Sequence, residues 1–233
     1  MADRIWFLIA AAGSARRFGG PVPKPYLRIA GKTLLEHSLR LLAAVPGVAG
    51  GVVVLASGDR RFQRLPKPLR RRVVTATGGP TRARSVLNGL QALGNAAKGD
   101  WVLVHDAARP CLSRREVDAL VAGCRRDSVG GLLAIPISDT VKQADEAGRS
   151  AGTLPRERLW RAQTPQMFRL GRLVEALTQA LEAGIEATDE SAAIERLGLK
   201  PRLIEGSPLN IKVTRPADLL LARAAMRARR TRK

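Results

Sequence analysis

Apolar residues gather in short continuous runs along the first two thirds of the chain, and the intervals between those runs keep a different rhythm. Ile5–Ala10, Gly51–Ala56, Arg72–Ala76, Trp101–His105 and Gly131–Pro136 are rich in Val, Ile and Leu and read as strands buried on both faces. The intervals carry apolar residues at helical spacing. Two of them open on capping boxes, Thr33-Leu34-Leu35-Glu36 and Ser113-Arg114-Arg115-Glu116, which satisfy the amides that a helix start leaves open. A third, Thr81 to Leu93, follows Gly78-Gly79-Pro80. Strands alternating with helices predict an α/β fold, a Rossmann-like, mainly parallel sheet with helices on both faces. Ligands of such sheets bind outside the carboxyl ends of the strands. The loop after Ile5–Ala10, the Gly78-Gly79 pair and Asp106 are therefore expected to converge.

The rhythm breaks between Ser138 and Ala162. That stretch is polar, holds Gly148, Gly152 and Pro155, and shows no helical stripe. It is too long for an ordinary connector, which marks it as functional. It reads as a protruding β-arm over 138–162, and two such arms pairing would cover each other's edges in a symmetric homodimer. Regular structure resumes with a helix from about Arg169 to Glu182 and another opened by Thr188-Asp189-Glu190-Ser191. A strand pair near Leu203 and Ile211 follows, then a final helix capped by Thr214. One domain over 1–233 with a dimerisation arm is the expected organisation.

Composition narrows the functional classes. With 233 residues, 45% of them hydrophobic, the chain can build an ordinary core and is no disordered polycation. No apolar stretch reaches the length of a membrane span, and the Asp3-Arg4 start lacks a signal-peptide pattern, so a cytoplasmic protein is expected. Cys111 and Cys124 form no C-x-x-C pair and read as buried free thiols. The formal net charge of +20 invites a polyanion, whether nucleic acid, anionic lipid or a polyphosphate substrate. Yet the cations are scattered, with clusters at Arg70-Arg71-Arg72, Arg125-Arg126 and the tail Arg223 to Lys233. Only 3% of residues are aromatic, so platforms for stacking bases are scarce and nucleic acid is not the expected partner.

The richest chemistry lies where the first strand ends. Ile5–Ala10 empties into Ala11-Ala12-Gly13-Ser14-Ala15, followed by Arg16-Arg17 and then by Lys24 between Pro23 and Pro25. Small side chains let backbone amides approach phosphate oxygens closely. Fixed cations beside such a loop suit a site where negative charge is held and where more develops in the transition state. The G-x-G-x-x-G spacing of dinucleotide sites is absent.

Ala11-Ala12-Gly13 with Arg17 and Pro23-Lys24 resembles the opening signature of nucleotidyltransferases that activate sugar and polyol phosphates. Further along come Val104-His105-Asp106-Ala107-Ala108-Arg109-Pro110, Asp139-Thr140-Val141-Lys142, Gln163-Thr164-Pro165-Gln166, Thr188-Asp189-Glu190-Ser191-Ala192 and Asn210-Ile211-Lys212-Val213-Thr214. In this order, from about Ile5 to Leu221, they resemble the 2-C-methyl-D-erythritol 4-phosphate cytidylyltransferase family of the non-mevalonate isoprenoid pathway. The resemblance implies a Mg²⁺-dependent reaction of CTP with methylerythritol phosphate. It implies transition-state contacts from Arg17 and Lys24, and a nucleotide site built from Ala11, Ala12, Gly13, Gly79, Ser85 and Asp106. Asp106 would also lie near the metal, which the CTP phosphates mostly hold. Lys212 and Arg156 match the pair that positions the polyol phosphate, Arg156 reaching from the neighbouring subunit. Arg109, Thr140, Thr164 and Thr188 would line the polyol pocket.

Some positions depart from the family pattern. Ala15 replaces a second loop glycine, Pro25 a frequent glutamine, Pro80-Thr81 a commonly acidic pair, and Leu209 a frequent acidic residue. Two alternatives stay open at this level. One is the related ribitol-5-phosphate cytidylyltransferase, and the other is a basic α/β module that holds nucleic acid by its phosphates.

Overall fold

The computed structural model describes residues 3–13, 18 and 22–231. Its strands are β1 (Ile5–Ala10), β2 (Arg28–Ile29), β3 (Lys32–Thr33), β4 (Val48–Leu55), β5 (Val73–Thr77) and β6 (Trp101–Asp106). They continue as β7 (Gly130–Pro136), β8 (Val141–Ala144), β9 (Ser150–Leu154), β10 (Trp160–Arg169) and β11 (Arg202–Glu205). The helices are α1 (Leu34–Ala43), α2 (Lys67–Arg70), α3 (Arg82–Gln91), α4 (Arg114–Cys124), α5 (Leu170–Glu182), α6 (Glu190–Arg196) and α7 (Pro216–Thr231). Seven strands form one sheet in the order β11-β7-β10-β6-β1-β4-β5. β1 runs parallel to β4 and β6, β5 to β4 and β11 to β7, whereas β10 lies antiparallel between β6 and β7. The expected mainly parallel α/β sheet is therefore present, with one reversed strand inside it.

The continuous apolar runs have a simple cause. Successive residues of a strand face opposite sides, and here both sides are covered. Phe7, Ile9, Val53 and Leu103 pack with Leu35 and Leu39 of α1 and with Val117 and Leu120 of α4. Their neighbours Leu8, Val52, Val54, Val102 and Val104 point the other way, onto Val86 and Leu90 of α3, Leu173 and Leu177 of α5 and Ile194 of α6. Both capping boxes form: Thr33 caps α1 and Ser113 caps α4, each with its reciprocal glutamate. Cys111 and Cys124 are free and buried, and burial pushes their thiols up to about 11 and about 12, so neither is a reactive thiolate near neutral pH.

Three expectations need correction. The Arg72–Ala76 run forms β5, but no residue of that strand is fully buried, because it is the sheet's edge. Ile211 is not in a strand; it packs against the small cluster of Ile29, Leu34, Val213 and Ala222 on which α7 rests, and β11 pairs with β7 instead. Thr214 does not cap α7 with its own oxygen. The Asp218 carboxylate accepts from the Thr214 N–H at 2.8 Å, the Thr214 hydroxyl at 2.6 Å and the Arg215 N–H at 2.8 Å. Within 138–162, β8 and β9 pair as a hairpin, and of its two strands only Val141 is even partly covered.

One short element carries visible strain. β2 and β3 are joined by Ala30 at φ 49° and Gly31 at φ 81°. A two-residue hairpin turn needs positive φ at both positions, which glycine and asparagine accept and alanine resists. Ala30→Asn is therefore expected to raise stability by about 0.5–1 kcal/mol. Denaturant unfolding of the two proteins, compared at equal m-value, measures this, and a variant no more stable than wild type would contradict it.

Candidate active site

Three loops meet at the carboxyl edge of the central strands, each fastened to its neighbour by a backbone hydrogen bond. The Ala11 N–H donates to the Val54 carbonyl at 2.9 Å, Ala107 to Ala10 at 3.1 Å and Gly78 to Leu55 at 2.8 Å. A Cβ on Gly78 would sit 2.3 Å from the Ala12 Cβ, so only glycine lets the loop after β5 close against the loop after β1. Ser85 shapes the same turn from within α3: its hydroxyl accepts from the Gly79 N–H at 2.9 Å and donates to the Thr81 carbonyl at 2.8 Å. The loop after β1 and the Gly78-Gly79 turn held by Ser85 thus meet at this edge, and Gly13 follows Ala12 with open space where a Cβ would stand. Arg17, with Ala15, lies outside the described residues.

Asp106, the last residue of β6, is the hub of the site and only 7% exposed. Its two oxygens are divided: Oδ1 takes Arg82 at 3.0 Å and Oδ2 takes Lys212 at 2.8 Å. Burial works against the ionised carboxylate, but those two cations outweigh it and hold Asp106 well below the usual carboxylate range. Arg82 also grips the fully buried Glu190, with Nη1 2.5 Å from Oε1 and Nη2 3.2 Å from Oε2. Burial would favour the neutral guanidine, yet Glu190 and Asp106 together keep Arg82 firmly protonated.

A buried polar web fixes the backbone beneath this cluster. The Thr164 hydroxyl accepts the Asp106 N–H at 3.0 Å and meets His105 Nδ1 at 3.0 Å, while His105 Nε2 lies 3.2 Å from the Arg109 carbonyl. A carbonyl can only accept, so Nε2 carries the proton and Nδ1 accepts from Thr164. Gln166 accepts the Ser191 N–H at 2.7 Å and donates to Asp189 at 2.9 Å, tying β10 to the start of α6. Asn210 donates to the Thr164 carbonyl at 2.9 Å, and Arg109 Nη1 donates to the Asn210 carbonyl at 2.7 Å. Arg109, Asn210 and Lys212 face a cavity of about 710 Å³ whose far wall is Leu221 and Ala225 of α7.

The remaining expected residues sit on several separate elements. Lys24 is half-buried in a turn, Lys24–Tyr26, anchored by the buried Pro25 and by the Tyr26 hydroxyl, which reaches the Asp59 carboxylate at 2.9 Å. Thr188 is exposed just before Asp189, which caps α6, and Thr140 is exposed at the root of the β8–β9 hairpin. Arg156 is exposed and donates to the Ser138 carbonyl at 2.5 Å, across the base of that hairpin rather than toward Asp106. Thr164 sits close to the cluster, but its hydroxyl is already committed to Asp106 and His105. Arg82, Glu190 and Gln166 were missed. Gln166 and Glu190 lie inside motifs already quoted, without a role, and Arg82 left a trace of its own: a cation in the first turn of a helix, the end whose macrodipole disfavours it.

Among the described residues no three His, Cys, Asp or Glu side chains are grouped as a metal cage would need. A divalent ion here would have to bring its own oxygens. Mg²⁺ does so when it rides on phosphates and takes one carboxylate from the protein. Asp106, a hard oxygen donor at the meeting point of the loops, fits that single role.

The family model described as 2-C-methyl-D-erythritol 4-phosphate cytidylyltransferase matches residues 5–228. The chain is 52% identical over 222 residues to the enzyme of that name from Chromobacterium violaceum, covering 95% of this chain and 97% of the relative. It is 50% identical over 220 residues to the one from Stenotrophomonas maltophilia, covering 94% and 95%. Among solved structures, a 4-diphosphocytidyl-2C-methyl-D-erythritol synthase superposes with a TM-score of 0.83 at 37% identity, covering 97% of this chain and 99% of that one. The Francisella tularensis 2-C-methyl-D-erythritol 4-phosphate cytidylyltransferase gives 0.82 at 33% identity, covering 96% and 100%.

The buried imidazole of His105 makes stability depend on pH. Burial lowers its pKa from the ordinary value near 6.5 to about 4. As pH falls, the unfolded chain binds this proton first. The stabilisation is therefore complete above pH 6.5, declines between 6.5 and about 4, and levels off below. It amounts to about 3 kcal/mol over that window. His105→Gln should flatten most of this slope in urea unfolding measured from pH 7 to 4, and an unchanged slope would refute the assignment.

Proposed function

The chain belongs to the 2-C-methyl-D-erythritol 4-phosphate cytidylyltransferase family, and on that premise we propose how its residues divide the work. The reaction transfers CMP from CTP to 2-C-methyl-D-erythritol 4-phosphate, yielding 4-diphosphocytidyl-2-C-methyl-D-erythritol and pyrophosphate for isoprenoid precursor synthesis. This membership sets aside the nucleic-acid module as the reading of the site. It also favours methylerythritol phosphate over ribitol phosphate as the acceptor.

A phosphate oxygen of the acceptor attacks the α-phosphorus of CTP, and the bond to the β-phosphate oxygen breaks as pyrophosphate leaves. Both reactants are polyanions. At an effective dielectric of about 20, one like-charge pair at ~4 Å costs about 4 kcal/mol. Catalysis is therefore mainly positioning and charge compensation, and no side-chain nucleophile is required. The observation that carries this reading is the meeting of the Ala11–Gly13 and Gly78-Gly79 loops beside Asp106 and Lys212. The two small-residue loops suit the nucleotide, with their amides free of side-chain bulk. Lys24 and Arg17 serve the charge that develops on the α-phosphate and the leaving group. Lys212, paired with Asp106 Oδ2 at 2.8 Å, exchanges that carboxylate for the acceptor phosphate. Asp106 Oδ2, released by Lys212 while Arg82 keeps Oδ1 in place, then accepts from substrate hydroxyls. Mg²⁺ carried by the CTP phosphates, with Asp106 as its one protein carboxylate, would supply further neutralisation.

Arg156 is assigned to the active site of a neighbouring subunit. The exposed apolar side chains at the hairpin and its exit, Leu154 and Trp160 at 40% and 37%, support a covered arm in a homodimer.

Lys24→Ala should lower kcat by about 10²–10³-fold with little change in melting temperature. Lys212→Ala should raise KM for methylerythritol phosphate well beyond its effect on KM for CTP. Pyrophosphate release with CTP and each polyol phosphate reads both effects and the substrate choice. Equal KM changes would move Lys212 to the nucleotide.

The subunit assignment has its own test. Lys24→Ala and Arg156→Ala proteins, each nearly inactive, are refolded together. Half of randomly paired dimers are mixed, and each mixed dimer owns one intact site, so about a quarter of wild-type activity should return. If Arg156 acts within its own chain, nothing returns even when mass measurement shows the mixed dimers have formed.

A further inference from the structure

We infer that Arg82 is a positioning residue for this reaction: it fixes one oxygen of Asp106 so that the other stays turned toward Lys212 and the substrates. This rests on the cytidylyltransferase reading of the site. Three observations carry it. First, Arg82 opens α3, whose first turn holds no acidic residue, and a cation there stands against the helix dipole by about 0.3–1 kcal/mol. Such a local cost is tolerated when a tertiary contact requires that side chain at that spot. Second, its planar fork spans two carboxylates from separate elements, Glu190 at the start of α6 and Asp106 at the end of β6. A residue that only stapled α3 to α6 would be satisfied by Glu190 alone. Third, the oxygens of Asp106 are partitioned, Oδ1 to Arg82 and Oδ2 to Lys212.

That partition matters because the two cations differ in freedom. Lys212 is 43% exposed at its side chain and borders the open cavity, so an incoming phosphate can draw it away. Arg82 is 26% exposed and bound bidentately to a carboxylate with no exposure at all. When Lys212 turns to the substrate, Arg82 remains and Asp106 keeps its orientation. Without Arg82 the carboxylate would follow Lys212 or swing out of register, and misplacement of about 1 Å can cost about 10²-fold in rate. Glu190 supplies the fixed counter-charge that keeps the fork itself aimed.

The test is epistasis with Asp106. Pyrophosphate release from CTP and methylerythritol phosphate is measured for wild type, Arg82→Gln, Asp106→Asn and the double variant, with thermal melts to correct for the folded fraction. Arg82→Gln should lower kcat/KM by about 10-fold or more. On the Asp106→Asn background the same change should cost less than about 2-fold, since the group Arg82 positions is already impaired. Arg82→Lys, which reaches one carboxylate but not both, should fall between wild type and Arg82→Gln. Equal losses on both backgrounds, or no loss on either, overturn the inference and leave Arg82 a structural staple. If Arg82→Gln does not fold, Arg82→Lys and its double variant with Asp106→Asn supply the same comparison. A wild type that releases no pyrophosphate sinks the cytidylyltransferase reading, and this inference with it.

Discussion

A nearly buried carboxylate at the end of a buried strand is tolerable only if cations come to it, and much of this site follows from that requirement. Asp106 draws Arg82 from α3 and Lys212 from the segment before α7. Arg82 in turn makes it possible to bury Glu190 completely. Removing one partner from such a pair typically costs about 3–5 kcal/mol, because the other is left charged and dry. The cluster therefore locks α3, β6, α6 and the chain before α7 into one arrangement. The attraction between Asp106 and its two cations is thus also what keeps these elements in order.

The sheet makes this economy possible. β6 delivers Asp106 to the rim, and β10, running the other way beside it, brings Thr164 back to meet the Asp106 amide. A parallel neighbour would have presented its carboxyl end, and the loop that follows it, at that point. Reversal of β10 thus places a hydroxyl donor and acceptor, rather than another loop, under the hub. The carbonyl edge of β1 and the turn after β5 complete the rim through backbone bonds that involve no functional side chain.

Legibility from sequence followed the range of the interactions. Runs such as Phe7-Leu8-Ile9 and Val102-Leu103-Val104 announce strands buried on both faces, and the capping boxes mark helix starts, because these signals are local. Val73-Val74 looks the same as those runs but forms the edge, since membership of an edge depends on what pairs beyond it. Ile211 is apolar because α7 covers its cluster, not because it pairs in a sheet. Around Asp106, the convergence of the small-residue loops and of Lys212 followed from motifs that fall at strand ends. The Arg82–Glu190 contact joins residues 108 positions apart and has no local signature beyond a misplaced cation. Thr164 was readable as a site residue, yet its hydroxyl serves the scaffold, a distinction that only geometry makes.

The β8–β9 hairpin enters and leaves the fold at one point. The Ile137 N–H donates to the Leu159 carbonyl at 3.0 Å, and Trp160 pairs with Pro136, so the strands that flank the insertion are zipped together at its neck. Nothing in the register of β7 and β10 depends on how many residues lie beyond that closure. The segment can lengthen, shorten or change its surface chemistry over evolutionary time while the catalytic scaffold stays still. It forms a detachable module, whose surface descendants of this chain could remake without renegotiating the fold.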